Sequence, residues 1–338
     1  MINKISKNFL VIILLVFCTT AFSQDAYSSI AGKPGAFSRM GFGARGMGMA
    51  NAMTSITSGN VVAYYNPALS IFQEGNSFSS SYSILSLDRS LNFLNFTRKF
   101  ELGWKNADGS RRDKPRSVAG VSLGLINAGV DNFAERDNQG IKLGDLSPFE
   151  NQFFMGVGLK TSERLAIGFT AKFYYSKLYD EVTTTSFAFD IGAIYILNEN
   201  ITIGAALIDV NAKYKWDSSK IYEQDGTNTT DEFPIRKKIG VSYKFSEQKI
   251  IASIEFEGIN SETNFLRLGA EYNIFESLFL RAGVDNMNIS NTDFPARPTF
   301  GFSYLHSLKS FVAGIDYAFV LEPFSSSDQH IVGININF

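Results

Sequence analysis

The sequence predicts an all-β protein: a 14-stranded antiparallel transmembrane β-barrel with an N-terminal hatch inside it. Three observations predict it. Apolar residues alternate with small or polar ones through nearly all of the chain after residue 75. The alternating runs are even in number, and the connections between them differ in length from one side to the other. A period of two gives each strand an apolar face and a polar face. Composition agrees: of 338 residues 31 are Phe, aromatic residues make 14%, and only 19% are charged. Such a chain is too apolar and aromatic to be disordered.

The first segment, 1–23, reads as a secretory signal that is removed. Lys4 and Lys7 precede the apolar run Phe9 to Phe17, and Ala21 and Ser23 stand at the small-residue positions before Gln24. The run is well short of the roughly 20 apolar residues of a membrane-spanning helix. Cys18 is preceded by the bulky Phe17, which disfavours lipoprotein processing. Since Cys18 is the only Cys, its loss excludes disulfides, thiolate metal sites and thiol catalysis from the mature chain.

Residues 24–75 are Gly-rich, small and weakly patterned, running GAFSRMGFGARGMGMANAMTSITSGNVVAYYNPALSIF from Gly35. Glycine and small side chains let backbones approach closely, which suits a hatch folded inside a barrel of this size. Asn66-Pro67 is a strong turn signal. A GxGxxG-like stretch at Gly41–Gly48 has no strand–helix unit around it, so it is a turn of the hatch rather than a nucleotide loop.

The barrel occupies 76–338. Strands are expected at 76–87, 91–100, 117–130, 149–160, 164–176, 182–196, 201–212, 235–246, 249–259, 262–274, 277–287, 297–305, 310–320 and 329–338. In 164–176, for example, Leu165, Ile167, Phe169, Ala171, Phe173 and Tyr175 share one face, and Arg164, Thr170, Lys172 and Ser176 the other. Tight turns are expected at 161–163, 197–200, 247–248, 275–276 and 306–309. Longer loops are expected at 131–148, 213–234, 288–296 and 321–328. Short turns on one side and long loops on the other mark an outer-membrane barrel with both termini on the periplasmic side. The connection 101–116, with Arg111, Arg112 and Lys114, is long on the short-turn side and reads as a periplasmic excursion. Aromatic residues near strand ends (Phe100, Tyr174, Tyr175, Phe319, Phe338) suit an interfacial girdle. A periplasmic β-sandwich would bury the same faces, but it would need two domains and a linker, and no linker is visible.

Charge and residue inventory narrow the function. Lys and Arg number 31 against 33 Asp and Glu, so nothing favours nucleic acid. Two histidines, His306 in a hairpin and His330 opening the last strand, have no nucleophile motif beside them, and no metal or cofactor signature occurs. Lys172, Lys238, Lys244, Arg267 and Arg281 are expected to face the lumen with Asp190, Glu255, Glu257, Glu271, Asp285 and Asp316, pairing across strands to brace the wall, the alternative being a gated or polar translocation path. Arg45 is expected to reach a lumen carboxylate such as Glu271 or Asp316, either locking the hatch in place or latching a plug that moves, the first being favoured. Phe154, Phe265 and Phe279 fall at inward positions and are candidates for a hydrophobic lumen site.

Gly43-Ala44-Arg45, then Met47-Gly48-Met49-Ala50, then Asn66-Pro67-Ala68-Leu69 resembles the N-terminal signature of the PorV/PorQ family, within the wider FadL-like group of outer-membrane proteins. The resemblance is sharp over about 35–72 and elsewhere rests on architecture. It implies a 14-stranded barrel with a hatch, a terminal strand whose last residue, Phe338, serves barrel assembly, and an accessory role in type IX secretion. The long loops 131–148 and 213–234 would then meet the translocon or secreted cargo. The FadL-like alternative is a non-enzymatic channel for hydrophobic small molecules such as fatty acids or aromatic hydrocarbons. One departure stands out: this chain has Ser58-Gly59 where the family often carries an acidic pair.

Overall fold

The computed structural model describes residues 30–104, 110, 113, 115–179, 181–259, 263–291 and 293–338. The leader expected over 1–23, and Arg111, Arg112 and Lys114, lie outside the described residues. The strands are β1 (Asn76–Ile84), β2 (Arg89–Leu102), β3 (Ser117–Val130), β4 (Phe133–Arg136), β5 (Lys142–Leu146) and β6 (Phe149–Lys160). They continue with β7 (Leu165–Tyr179), β8 (Val182–Ile196), β9 (Ile201–Val210), β10 (Lys213–Asp217), β11 (Asn228–Glu232) and β12 (Arg236–Phe245). The last are β13 (Ile250–Ile259), β14 (Thr263–Phe275), β15 (Leu278–Asn288), β16 (Arg297–Ser307), β17 (Val312–Val320) and β18 (Gln329–Asn337). All but β4, β5, β10 and β11 join one closed antiparallel barrel, which β1 seals by pairing with both β2 and β18. Asn76 and Phe338 exchange backbone hydrogen bonds of 2.8 and 3.0 Å across the seam.

The two faces are inverted relative to a water-soluble protein. Phe187 is 70% exposed and Phe169 50%, whereas Lys172 is 1% exposed. The outward apolar face continues around the wall through Leu123, Met155, Ile239, Ile254, Leu280, Phe300, Ile315 and Val332, all exposed. A band of this kind is stable against hydrocarbon and not against water.

Several details differ from the sequence reading. The loops 131–148 and 213–234 carry antiparallel hairpins, β4–β5 and β10–β11, whose strands of four or five residues are too short for their patterning to announce them. The links β1–β2, β7–β8 and β13–β14 are short although they sit at the hairpin end, so loop length does not separate the two ends cleanly. Leu87 and Asp88, both with positive φ (60° and 52°), make the first of these turns tight. Tyr174 is no girdle residue: it is fully buried in the lumen, while Tyr175 faces outward against Phe149. Lys244 is exposed near the strand's end rather than paired inside. His306 lies within β16 rather than in a hairpin.

Residues 30–75 fill the lumen. They start near the hairpin end, where Gly35 packs on Phe233, and finish at Gly75 beside Phe338. Between lie helix α1 (Gly43–Gly48) and a 3-10 turn, Pro67–Phe72. This mostly irregular backbone needs partners, because a buried unpaired amide or carbonyl is costly. The wall supplies them. Glu255 accepts the Thr54 amide (3.0 Å), Ser242 donates to the Ser55 carbonyl (2.9 Å), and Thr299 donates to the Gly48 carbonyl (3.2 Å).

Close approach is possible because inward positions on successive strands are glycine. A Cβ on Gly168 would stand 2.3 Å from the Pro67 carbonyl carbon, one on Gly204 2.2 Å from the Thr54 oxygen, and one on Gly269 2.3 Å from the Met49 oxygen. Asn66 fastens the turn that rests on this ring. Its Oδ1 accepts the Ala68 amide at 3.0 Å, and its Nδ2 donates to Thr54 O and Ala193 O at 3.0 Å and to Ala205 O at 3.3 Å. Asn66→Ala removes a cap and several buried partners, so we expect a loss of roughly 2–4 kcal/mol. The temperature of the gel-mobility shift on heating measures it; an unchanged midpoint would contradict the assignment.

Candidate functional site: a chamber at the Arg45 clasp

Charged side chains on the inner wall form a belt of alternating sign. Lys172 bridges Asp190 and Asp209, both at 2.8 Å, and Arg236 meets Asp209 at 2.9 Å. Lys238 meets Glu255 at 3.0 Å, and Arg267 joins Glu257 (2.5 Å) to Asp285 (2.7 Å). Arg297 extends the belt from Asp285 to Glu322, at 2.8 and 2.7 Å. Arg281 pairs with Glu271 at 2.6 Å and also donates to Ser303. Paired this closely, the belt braces the wall and gives the lumen no single sign.

Arg45 enters the belt from α1. Its Nε and Nη2 donate to the two oxygens of Glu271 at 2.9 and 2.8 Å, and its Nη1 donates to the Asn60 carbonyl at 2.8 Å. This fork-on-fork geometry uses the guanidinium fully. Burial works against the charged guanidinium, but the Glu271 carboxylate outweighs it and holds the Arg45 pKa above its ordinary value. Of the two carboxylates that the sequence offered, Glu271 is the one bound. Gly59 passes close to this group: it has φ +70° and a Cβ there would lie 2.9 Å from the Arg45 guanidinium carbon. The carboxylate that Arg45 binds comes from β14.

Tyr65 fixes α1 from the other side. Its hydroxyl accepts the Phe42 amide at 2.9 Å and lies 2.9 Å from both the Phe42 carbonyl and Asn51 Oδ1. Burial pushes the phenol well above its usual pKa, which keeps the donor proton. Gly46 is required here, since a Cβ would fall 1.9 Å from the Tyr65 hydroxyl. Neither Tyr65 nor Gly46 was identified from the sequence; a glycine inside a six-residue helix was the available signal.

Beside the clasp, between α1 and β14–β18 and β1, lies a cavity of about 140 Å³. Its lining mixes apolar side chains (Phe42, Met53, Leu69, Phe279, Leu305) with polar and charged ones (Arg45, Glu271, Arg281, Ser303, Asp316, Asn335). Asn335 donates to Asp316 at 2.7 Å while its own Oδ1 is buried without a hydrogen-bond partner. Exposed Gly59 is part of the lining, and Phe279, Leu305 and Asn337 place the cavity toward the end where β1 starts.

From Phe42 an aromatic column climbs toward the hairpin end. Phe42 contacts Phe93 at 5.0 Å, Tyr64 at 5.4 Å and Phe154 at 5.8 Å between ring centres. Higher up, Phe37 meets Tyr174 (6.2 Å), Tyr174 meets Phe233 (5.0 Å), Phe233 meets Tyr214 (4.8 Å) and Tyr214 meets Trp216 of the β10–β11 hairpin (5.3 Å).

The structure therefore brings Gly43, Ala44, Arg45 and Phe279 to one chamber, with Phe154 one ring away across Phe42. Phe265 is elsewhere, near the hairpin end under the Arg267 guanidinium at 5.7 Å. Gly48 is a contact position: a Cβ there would lie 3.3 Å from the Gly301 backbone. Asn66, Pro67 and Ala68 sit across the lumen on β7–β9. Phe338 closes the seam.

No protein-family profile matches the chain. No curated protein matches it. Among solved structures the chain is similar to a Pseudomonas aeruginosa FadL homologue, at 10% identity and TM-score 0.56, over 88% of this chain and 98% of that one. It is also similar to the P. putida toluene transporter TodX (14% identity, TM-score 0.54, 88% and 99% of the two chains). A third similar structure is the CymD monoaromatic hydrocarbon channel (15% identity, TM-score 0.54, 88% and 98%). At such identities the likeness is one of fold, and the fold is FadL-like.

Proposed function

We propose that the chain is a non-enzymatic outer-membrane barrel that passes a hydrophobic small molecule, held on the way in the chamber beside Arg45. On this reading residues 1–23 direct export and are removed, 24–75 form the hatch, 76–338 form the barrel, and the end bearing Asn76 and Phe338 faces the periplasm. The chamber carries the proposal. Its volume of about 140 Å³ is near that of a dry apolar cavity of roughly 150 Å³ that binds benzene in another protein. The names of the similar structures, two of them channels or transporters for single-ring hydrocarbons, support a ligand of this size. Two groups of buried aromatic rings, one around Phe42 and one from Phe37 to Trp216, lie between the hairpin end and the chamber and would have to part for a ligand to pass.

Filling the chamber tests the idea. Leu305→Trp should lower toluene retention by the purified barrel at least tenfold, read by equilibrium dialysis, and leave heat-modifiable migration unchanged. Retention equal to that of the unaltered protein would remove the chamber from the path.

A second reading follows the PorV/PorQ resemblance: an accessory of type IX secretion that receives translocon components or secreted cargo. The two hairpins favour it, because Phe133, Ile141, Leu143 and Ile221 are exposed on or beside them. Deleting 131–148 and 213–234 should abolish protein capture under this reading and spare toluene retention.

A further inference from the structure

Positive charge is segregated on one quarter of the end that carries residues 76 and 338. There, among the described residues, Arg98, Lys99, Arg116, Lys160 and Arg164 stand with Glu101, Asp113 and Glu163 on β2, β6, the β2–β3 connection and the β6–β7 turn. The other turns at this end bear Glu199, Glu247, Lys249, Glu276 and Lys309, close to neutral together. Lys99 meets Glu101 at 3.2 Å and Lys160 meets Glu163 at 2.9 Å. Arg116 and Arg164 are exposed and make no ion pair among the described residues.

Lys99, Arg116, Lys160 and Arg164, with Glu101 and Glu163, line a cavity of about 420 Å³ that also takes in Ile71 and Phe72 of the lumen segment and Val118 and Ile196 of the wall. Leu165 belongs to both surfaces: it lines this cavity and is also exposed on the outer wall. Leu102, Leu159 and Trp104 are exposed at the same level, and the Arg98 guanidinium lies 4.9 Å above the Phe100 ring. Trp, aromatic rings and Arg at a strand end mark the boundary between hydrocarbon and headgroups.

From the unpaired arginines, the cationic rim and the apolar wall that continues from it, we infer that this quarter of the rim binds an anionic phospholipid of the adjoining leaflet. The phosphate sits among Arg116, Lys160 and Arg164, and the acyl chains lie along Leu102, Leu159 and Leu165. The inference rests on the membrane placement proposed above. Basic clusters at a bilayer surface attract anionic lipids by about fivefold in affinity per residue.

The test uses the full chain in neutral detergent, titrated with mixed micelles of phosphatidylglycerol or phosphatidylcholine, with the thermal midpoint and native mass spectrometry as readouts. Phosphatidylglycerol should raise the midpoint and remain bound, and phosphatidylcholine should do neither. The variant R116Q/K160Q/R164Q should bind phosphatidylglycerol about a hundredfold more weakly, while E101Q binds at least as well as the unaltered chain. Equal responses to the two lipids, or an undiminished response in the triple variant, would overturn the inference. So would a response to inorganic phosphate matching that to phosphatidylglycerol. Tighter capture of polyglutamate than of lipid would assign the face to a soluble acidic partner and also overturn it. Failure of the chain to insert into vesicles with heat-modifiable migration would instead count against the membrane placement itself.

Discussion

Replacing Gly168 and Gly192 together by valine is expected to expel the Asn66–Phe72 turn from the wall while the barrel stays closed. At Gly168 the new Cβ would lie 2.3 Å from the Pro67 carbonyl carbon and 2.4 Å from the Ala68 nitrogen, and at Gly192 2.0 Å from Asn66 Oδ1 and 2.7 Å from Pro67 Cδ. The Gly168 contacts are backbone atoms, which cannot rotate away as a flexible side chain would. Overpacking of one such site costs about 1–3 kcal/mol. Two neighbouring sites against one rigid turn should together exceed what the turn's hydrogen bonds return, although adjacent sites do not simply add. The wall itself loses nothing, because valine suits a strand and the β7–β8 ladder is untouched. Limited proteolysis should therefore cut within 30–75 in the variant and not in the unaltered protein. Planar-bilayer recordings should change from near silence to open-channel conductance. A lumen segment still fully protected would refute the seating role of the glycines.

The second large effect concerns the clasp, and its sign is asymmetric. Glu271 is held by both Arg45 and Arg281, at 2.8 and 2.6 Å. Removing Glu271 leaves two buried guanidiniums without their shared partner, whereas removing Arg45 leaves Glu271 still paired. Breaking a buried pair by deleting one member costs about 3–5 kcal/mol. Glu271→Ala should fall in or above that range, Arg45→Met clearly below it, and Glu271→Ala combined with Arg45→Met between the two. Thermal midpoints of the heat-modifiability transition order the three. If Arg45→Met proved as damaging as Glu271→Ala, the bond from Arg45 to Asn60 rather than the ion pair would be the main contribution.

The barrel was legible in the sequence because a lipid-facing wall imposes a period of two on every strand, and the chain obeys it from Asn76 to Phe338. What escaped was too short to show that period reliably. KYKWD and NTTDE pair as β10–β11 through backbone register and the Trp216–Asp231 hydrogen bond (3.0 Å); Tyr214 and Trp216 do share a face, but five residues are too few to mark a strand, and NTTDE has no apolar residue at all. Asp209 escaped because the wall is irregular there. The β8–β9 register shifts between Phe189 and Ile191, and Asp209 itself has φ +62°, so simple alternation misplaces it. Arg236 was passed over at the very first position of its strand, although it completes the belt through Asp209.

At the site, the reading of Arg45 as an anchor to Glu271 or Asp316 needed only charge and face, and the structure selects Glu271. Phe154, Phe265 and Phe279 share an inward face, but face alone does not fix height along the barrel. Register does, and it separates Phe265 from the other two. The inward glycines were visible one at a time. Their common level became apparent only once the strands were paired.

The lumen segment precedes the first strand in the chain yet touches strands made much later: Arg45 reaches Glu271 across 226 residues and Gly48 reaches Thr299 across 251. Its contacts therefore cannot form when the segment itself is first made. They must await the far side of the wall, and the seam between β1 and β18 needs the last residues of all. So long a separation between partners makes for slow maturation. During that interval the Gly-rich stretch must be kept from straying. Truncating β18 should consequently leave residues 30–75 without their native contacts, even though every residue of the segment is present.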